Sequence, residues 1–279
     1  MHIKKVTGFA EIRMIKNILK GIQAYSGVFG LMSKLKLWKY FAVPMLISIV
    51  TAILFGISVY GWSDDIGRFF ANVWIWDWGK ETFTFISSFI GAIIIIAIGL
   101  ILYKHIIMAL SAPFMSPVSE KIEAYLLGER THQHRNTSNT EQLWRGIRIN
   151  VRNLAKELLI TIPILLLKFI PFVNIFSTIL LFLVQAYYAG FGNMDYTLER
   201  HFKYRESINF MRKHRGLAIG NGLVFMAFLL IPIVGIILVL PLSVTAASLQ
   251  TVKLLEKEQV YLKADFAETF EDVSNKGIK

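Results

Sequence analysis

The 279-residue chain contains no cysteine, and only 18% of its residues are charged. Without cysteine it can form no disulfide, thiolate metal site or iron–sulfur cluster. Soluble domains carry about 25% charged residues, whereas 54% of this chain is hydrophobic. Residues 40–62 and 82–103 contain no Asp, Glu, Lys or Arg. Each stretch exceeds the roughly 20 residues that cross the hydrocarbon core as a helix. The sequence therefore excludes a soluble enzyme and predicts an integral membrane protein.

The motifs of common catalytic sites are missing as well. The chain has no P-loop, nucleophile elbow, HExxH sequence or predicted pair of buried carboxylates, so we expect no enzyme activity, no cofactor and no metal site. The net charge of +11 does not by itself indicate nucleic acid, which would require a soluble basic face with groups that read or stack on bases. We expect no nucleic-acid partner.

The positive charge is concentrated in particular segments. Residues 1–39, an amphipathic basic segment, contain eight Lys or Arg and one acidic residue, whereas residues 63–81 contain two basic and four acidic residues. Cytoplasmic loops carry the Lys/Arg excess. The first span then runs outward and the second returns the chain to a cytoplasmic segment at 104–157. A membrane domain at 40–255 and a cytoplasmic tail at 256–279 complete this prediction.

Two further apolar stretches, residues 158–190 and 216–252, have lengths that fit neither one span nor two. A single helix needs about 20 residues, and two helices with a turn need roughly twice that number. The sequence therefore predicts two re-entrant helical hairpins that enter the membrane part-way and leave by the same face. Irregular backbone at that depth must be covered by protein or line a watery cavity.

Matching turn sequences lie near the middle of these stretches, IPFVNI in the first and IPIVGI in the second. Pro171 and Pro232 cannot continue a helix, and Asn174 and Gly235 tolerate the backbone angles of a tight turn. The alternative is a pair of proline-kinked helices. That arrangement would place the basic segment 191–215 outside, against the positive-inside bias, so we expect hairpins.

Basic residues also lie next to or within the predicted membrane segments. Residues 9–22 and 144–158 have apolar residues at helical spacing, and the second helix carries Arg145, Arg148 and Arg152 on one stripe. These arginines either contact lipid phosphates or attract anions to a pore mouth. Lys168, the only charged residue inside an apolar stretch, is a functional candidate by default, or it snorkels to the interface.

The block after the second span resembles a known family signature. It contains Ala112, Pro113, Phe114, Glu120 and Glu123, and it is similar to the "APF…EKVE" sequence of the CysZ and etoposide-induced-protein family of integral membrane proteins. The resemblance extends over residues 31–255. It includes a block between the hairpins with Asp195, Tyr196, Leu198, Glu199, Arg200, Ser207, Phe210, Arg212, Arg215 and Gly220, and a final hairpin with Pro232, Pro241, Ala246 and Ala247.

The resemblance implies two long membrane helices, two hemi-penetrating hairpins and, in the CysZ branch, sulfate uptake across the bacterial inner membrane. The eukaryotic branch has no agreed transport substrate. CysZ proteins associate sulfate with a Gly/Pro-x-Leu-Arg-Arg-type segment before the first span. Here Trp38 and Lys39 stand at the arginine positions, and Lys binds oxyanions less specifically than Arg.

We therefore expect an all-α, multi-pass inner-membrane protein that acts as a permease or channel for sulfate or a related oxyanion. A homo-oligomer is the simplest way to cover hairpin turns inside the membrane. The alternative is a non-transporting, membrane-organising or partner-binding protein that holds anionic lipid. The candidate anion-binding residues are Lys36, Lys39, Arg145, Arg148 and Arg152.

Overall fold

The structure, a computed structural model, describes residues 2–71, 80–128, 138–167, 172–231, 233–258 and 260. The regular elements within these ranges are all α-helices, as the sequence predicts. They are α1 (His2–Gln23), α2 (Val28–Lys34), α3 (Trp38–Ala71), α4 (Lys80–Leu127), α5 (Asn139–Leu167), α6 (Val173–Leu198), α7 (Tyr204–Lys213), α8 (Arg215–Leu229) and α9 (Val234–Lys257). Lys168, Pro171 and Pro232 lie outside the described residues, as does most of the tail 256–279.

Helices α3 and α4 contain the two predicted spans and are the longest of the described helices. They have 34 and 48 residues, which correspond to about 51 and about 72 Å at 1.5 Å per residue. Gly99 of α4 leaves room for the ring of Phe55 on α3. Both helices therefore continue well beyond the apolar stretches that the sequence delimits, and α4 includes the whole family block around Pro113.

The first long apolar stretch lies in a helical hairpin formed by α5 and α6. Near its open end Arg145 of α5 pairs with Asp195 of α6. Closer to the tip, the Arg152 guanidinium lies 5.5 Å from the centre of the Phe191 ring. From the first contact to the second, the residue number rises along α5 and falls along α6, so the two helices are antiparallel. A single kinked helix over this stretch is therefore excluded.

The second stretch forms a hairpin of α8 and α9. The side-chain amide of Asn221 donates to the backbone oxygen of Ser243 over 3.1 Å, and near the tip Gly235 lies directly against the backbone of Phe228. The two arms differ in length, because α8 has only 15 residues and α9 has 24. Both apolar stretches therefore form pairs of antiparallel helices, although α5 begins well before residue 158.

The two hairpin tips have the same unusual backbone conformation. Phe172 has φ of 66° and Ile233 has φ of 63°, and each residue directly follows the proline of its turn. Asn174 and Gly235 lie in the first turns of α6 and α9, so the expectation that they adopt the special turn angles is corrected. Gly235 is required for another reason, because a Cβ there would overlap the backbone oxygen of Phe228.

Helix α8 packs closely against α6 through small residues. Ala218 and Gly222 of α8 lie over Gly190 and Ala186 of α6. A Cβ on Gly190 would overlap the Ala218 carbonyl, and a Cβ on Gly222 would overlap that of Ala186. Small residues four positions apart let membrane helices approach backbone to backbone. Each of these two helices carries such a pair.

A second face of α8 holds α1 in the same way. Gly216 lies against Asn17, and Gly220 lies against the backbone of Ile18 and Gly21. The amphipathic helix α1 is therefore fixed to the helical core. Its large apolar side chains on another face remain exposed, among them Ile12, Ile15 and Leu19.

Four of the described helices contain a stretch long and apolar enough to cross a membrane, by length and composition: Trp38–Trp62, Gly99–Leu127, Val173–Leu198 and Val234–Lys257. The hydrophobic interior includes two clusters. One joins α2, α3, α4, α6, α8 and α9, and the other joins α5, α6, α7, α8 and α9. The chain is thus a multi-pass, all-helical membrane protein.

Candidate functional site

Four lysines surround the short connection between α2 and α3. Lys36 in this connection has φ of 51° and is exposed. The Lys39 ammonium lies 5.1 Å from the centre of the Tyr40 ring, and the Lys121 ammonium from α4 lies 5.9 Å from the same ring. We call this group the lysine turn; it consists of Lys34, Lys36, Lys39 and Lys121. The sequence predicts two of the four, Lys36 and Lys39. Lys121 belongs to the family block on α4.

Other side chains fix the shape of the lysine turn. The Lys34 ammonium donates to the Tyr125 hydroxyl over 2.9 Å. The Trp38 ring lies 6.0 Å from that of Phe29, so Trp38, which stands at an expected arginine position, packs against an aromatic ring. The backbone N–H groups of the first turn of a helix have no partner within the helix. In the first turn of α3 the N–H of Tyr40 donates to the Leu37 carbonyl over 2.9 Å, whereas no partner is described for the N–H groups of Trp38 and Lys39, next to Lys36.

The three candidate arginines on α5 have different surroundings. Arg145 donates to both carboxylate oxygens of Asp195, at 3.1 and 3.3 Å, and to the Phe202 carbonyl at 2.7 Å. Burial alone would lower the pKa of Arg145, but the carboxylates of Asp195, Glu199 and Glu206 together outweigh it and the pKa is raised. Asp195 also accepts a hydrogen bond from Ser207. Arg145 therefore has a structural ion pair.

The other two arginines stack on aromatic rings. The Arg148 guanidinium lies 4.2 Å from the centre of the Tyr204 ring and is exposed, and that of Arg152 donates to Asn153 over 2.7 Å. Their neighbours belong to α5, α6 and α7, whereas the lysine turn contacts α4. Among the described contacts, none joins the two groups, so the five candidate residues form two separate basic surfaces.

The family block on α4 connects it to neighbouring helices. Ala112 is buried where Gly146 of α5 approaches, and Pro113 and Phe114 are half-buried. Glu120 is exposed. Glu123 is buried and forms ion pairs with Arg200 and, at 3.1 Å, with His201. The second family segment, which contains Arg200, is therefore the ionic partner of the first.

A buried charged cluster lies in the middle of the helical core. The Lys104 ammonium is 2.6 Å from one oxygen of Glu157, and Nε2 of His105 is 3.0 Å from the other. Nδ1 of His105 lies 3.3 Å from the side-chain oxygen of Asn150. Lys104 and Glu157 are fully buried. The cluster connects α4 to α5 by groups that satisfy one another, and it carries the only buried Lys–Glu pair among the described residues.

Sequence reasoning missed this cluster because it ended the second span at residue 103. Lys104 and His105 then counted as the start of a cytoplasmic segment, and Glu157 as its end. The available signal was the apolar run that continues after His105. A charged pair in the middle of a continuous apolar helix must be buried with a partner, and Glu157 directly precedes the next apolar stretch.

A chain of neutral polar groups runs through the α8–α9 hairpin. The Tyr25 hydroxyl, from the α1–α2 connection, lies 2.7 Å from the Ser243 hydroxyl and donates to the Asn221 carbonyl at 2.9 Å. Asn193 of α6 donates to the side-chain oxygen of Asn221 over 3.0 Å. Burial raises the pKa of Tyr25 far above its usual value, so the hydroxyl stays protonated. These bonds fix α6, α8 and α9 to the N-terminal part of the chain.

Comparison with known families gives one match. The family described as sulfate transporter CysZ/etoposide-induced protein 2.4 matches residues 24–239, a range that includes the lysine turn, the family block on α4 and the tip of the second hairpin. A comparison with curated proteins finds no match. The resemblance that the sequence motifs predict is thereby confirmed over most of the chain.

Proposed function

Because the chain belongs to the sulfate transporter CysZ/etoposide-induced protein 2.4 family, we propose that it is a permease or channel for sulfate or a related oxyanion in the cell inner membrane. The family match over residues 24–239 is the observation that carries this proposal. It includes the helices with the buried ion pairs and the lysine turn. No covalent step is required, so the protein would act without enzyme chemistry.

The pattern of exposed apolar residues supports hairpins that end inside the membrane. On α3 these residues run from Val43 to Trp62, about 30 Å of helix and thus a full hydrocarbon core. On the first hairpin the closely spaced ones lie around the tip, from Leu158 to Leu167 on α5 and from Phe172 to Leu180 on α6. Trp144 and Val151 are also exposed farther along α5, and the rest of α6 is buried or half-buried. The α6 arm therefore offers lipid-facing surface over about 12 Å, less than half the core.

The hairpin tips themselves are apolar. Phe172 is 93% exposed and Ile233 is 71% exposed. A tip in water on the far side would expose these side chains at a cost of about 25 cal/mol per Å², whereas a tip in hydrocarbon or against a second copy of the chain would not. Both of the latter settings are consistent with re-entrant hairpins in a homo-oligomer.

The lysine turn is the proposed first contact of the anion. A divalent oxyanion is strongly hydrated, so a binding site must replace its water with several donors. Lys36 and Lys39 supply charge, and the N–H groups of Trp38 and Lys39 in the first turn of α3 supply directed hydrogen bonds. The Arg145 guanidinium is already paired with Asp195, so the α5 arginines would contribute mainly by long-range attraction.

Sulfate uptake into proteoliposomes tests this proposal. Removing one hydrogen bond to a charged group costs about 1.5–3 kcal/mol, so Lys39→Ala should weaken sulfate affinity about tenfold or more. Arg148→Ala is the matched control, since Arg148 is also exposed and stacked on a tyrosine ring. It should change uptake only modestly, and less at high salt.

Two outcomes would contradict the proposal at different points. Wild-type protein that gives no sulfate flux above empty liposomes would remove the permease function and leave the membrane-organising alternative. Flux that Lys39→Ala and Arg148→Ala reduce equally would keep transport and remove the lysine turn as the binding site.

A further inference from the structure

A basic cleft of about 490 Å³ lies between α1, the start of α8 and the end of α9. Its walls carry four cationic side chains, two from each outer helix: Arg13, Lys20, Lys253 and Lys257. Among the described residues none of the four forms an ion pair. Among the described lining residues the one carboxylate is Glu258, which is bound to Lys213 at 2.5 Å and lies 3.5 Å from Nε2 of His214. The cleft therefore has an excess of positive charge, with four cationic side chains and one carboxylate among its described lining residues.

Uncharged donors line the same cleft. Asn17 and Gln23 of α1 face it, and so does Gln250 of α9. The side-chain oxygen of Gln250 is buried in its wall without a hydrogen-bond partner among the described residues, and Nε2 of His214 lies 3.5 Å from the Glu258 carboxylate. The amide of Gln250 can turn to offer its NH₂ group, because its two ends are assigned from the hydrogen-bond network. Cations together with neutral donors are the groups that bind a phosphate.

The cleft has a fixed shape. Its α1 wall is held to α8 by Gly216 and Gly220, where the two backbones touch. Its other wall is the end of α9, whose Ser243 bonds to Tyr25 just after α1. A preformed site loses less conformational entropy on binding than a set of mobile lysines does.

The position of the cleft indicates which anion it binds. On α1, Arg13, Asn17 and Lys20 face the cleft, whereas Ile12, Ile15 and Leu19 on a neighbouring face are large, apolar and exposed. An amphipathic helix of this kind lies at the membrane interface with its apolar face among acyl chains. A lipid bound there would have its phosphate at the cleft and its chains along the apolar face of α1.

We propose that the cleft between α1, α8 and α9 binds the headgroup of an anionic glycerophospholipid. The proposal is independent of the permease function, since none of the cleft residues belongs to the lysine turn. A free oxyanion would use the cations but would gain nothing from the apolar face beside them. This difference separates the two possible ligands experimentally.

The test uses the full chain in neutral detergent, with phosphatidylglycerol added at increasing concentration and bound lipid counted by native mass spectrometry. The double variant Lys20→Gln/Lys253→Gln removes one cation from each wall, and it should weaken phosphatidylglycerol binding at least about tenfold. Lys16→Gln is the matched control, because Lys16 is an exposed lysine of the same helix that does not line the cleft. It should change binding less than about threefold.

Two further arms identify the ligand. Phosphatidylcholine should bind the wild-type chain far more weakly than phosphatidylglycerol, and inorganic phosphate should compete only at concentrations well above those of the lipid. Equal affinity for the two lipids, or equal loss in the double variant and Lys16→Gln, would overturn the proposal. Competition by inorganic phosphate at the same concentration as lipid would assign the cleft to free anions and also overturn it.

Discussion

At the residue scale, buried charges are paired, and their partners lie far apart in the sequence. Glu123 meets Arg200 across 77 residues, and Lys104 meets Glu157 across 53. Removing a charge from water costs several kcal/mol, which close and well-oriented partners offset. Such pairs contribute little net stability compared with apolar residues, but breaking one leaves an unpaired charge in a dry interior. They therefore favour one arrangement of α4 against α5 and α6.

The Lys104–Glu157 pair gives a direct prediction. Lys104→Met leaves Glu157 with His105 as its described partner, and we expect it to lower the free energy of unfolding by about 3–5 kcal/mol. The double variant Lys104→Met/Glu157→Met removes both charges and should recover a large part of that loss. Unfolding in mixed detergent micelles, followed by circular dichroism, measures both values.

The control for this cycle is Lys156→Met, at an exposed position next to Glu157. It should change stability by less than about 0.5 kcal/mol. If the double variant is as unstable as the sum of its single variants, the two residues do not interact, and the buried pair is not a determinant of how α4 packs on α5.

At the element scale, the sequence predicted that both long apolar stretches form helical hairpins, but not the detailed geometry of these hairpins; their re-entrance stays a prediction. Stretch length, charge distribution and the repeated proline located both turns. The assignment of the special backbone angles to Asn174 and Gly235 followed from residue preference alone. The structure has these angles at Phe172 and Ile233, because α6 and α9 begin directly after them. A local preference cannot reveal a contact across the hairpin, such as that of Gly235 with Phe228.

Helix α4 illustrates a second limit of the same kind. The sequence delimits a span at residues 82–103 from the absence of charge, whereas the helix runs from Lys80 to Leu127. Lys104 and His105 interrupt the apolar stretch without ending the helix, because Glu157 and Asn150 satisfy them. Only the tertiary structure supplies those partners, so the cluster could not be predicted from the spans.

The hairpin tips give the second prediction, which distinguishes a packing role from a turn role. Gly235→Val should sharply reduce the yield of folded, detergent-stable protein, because its Cβ would overlap the Phe228 backbone, and overpacking typically costs about 1–3 kcal/mol. Asn174→Val changes an exposed residue in the first turn of α6 and should keep most of the yield. Size-exclusion chromatography of both variants measures the difference.

A further substitution checks that the effect at Gly235 is local. Gly56→Val, on α3, meets open space and should behave like Asn174→Val. Equal losses for Gly235→Val and Asn174→Val would indicate that both residues are needed for turn angles, contrary to the structure.

At the scale of the whole molecule, the helices contribute unequally to the membrane-facing surface. Helix α3 exposes apolar side chains over a full core thickness, whereas on the first hairpin closely spaced exposed apolar residues occur only around the tip, with Trp144 and Val151 exposed singly farther along α5. Helix α8, with 15 residues, extends only about 22 Å and is too short to cross a core of about 30 Å. The glycines of α8 hold it between α1 and α6, so it belongs to the protein interior.

This surface leads to the last prediction, which concerns topology. The native chain has no cysteine, so single cysteines report position without background. Ser138→Cys, before α5, and Lys203→Cys, between α6 and α7, replace exposed residues at the two open ends of the first hairpin. If that hairpin is re-entrant, a membrane-impermeant maleimide applied to intact cells should label neither, and permeabilised cells should show labelling of both.

Asp65→Cys, an exposed position near the end of α3, should be labelled from outside and serves as the positive control. Labelling of position 203 but not position 138 in intact cells would mean that the chain crosses the membrane once between them, which contradicts a hairpin of any depth. Labelling of 138 and 203 together, with none at 65, would reverse the orientation of the protein and leave the two ends of the hairpin on one side.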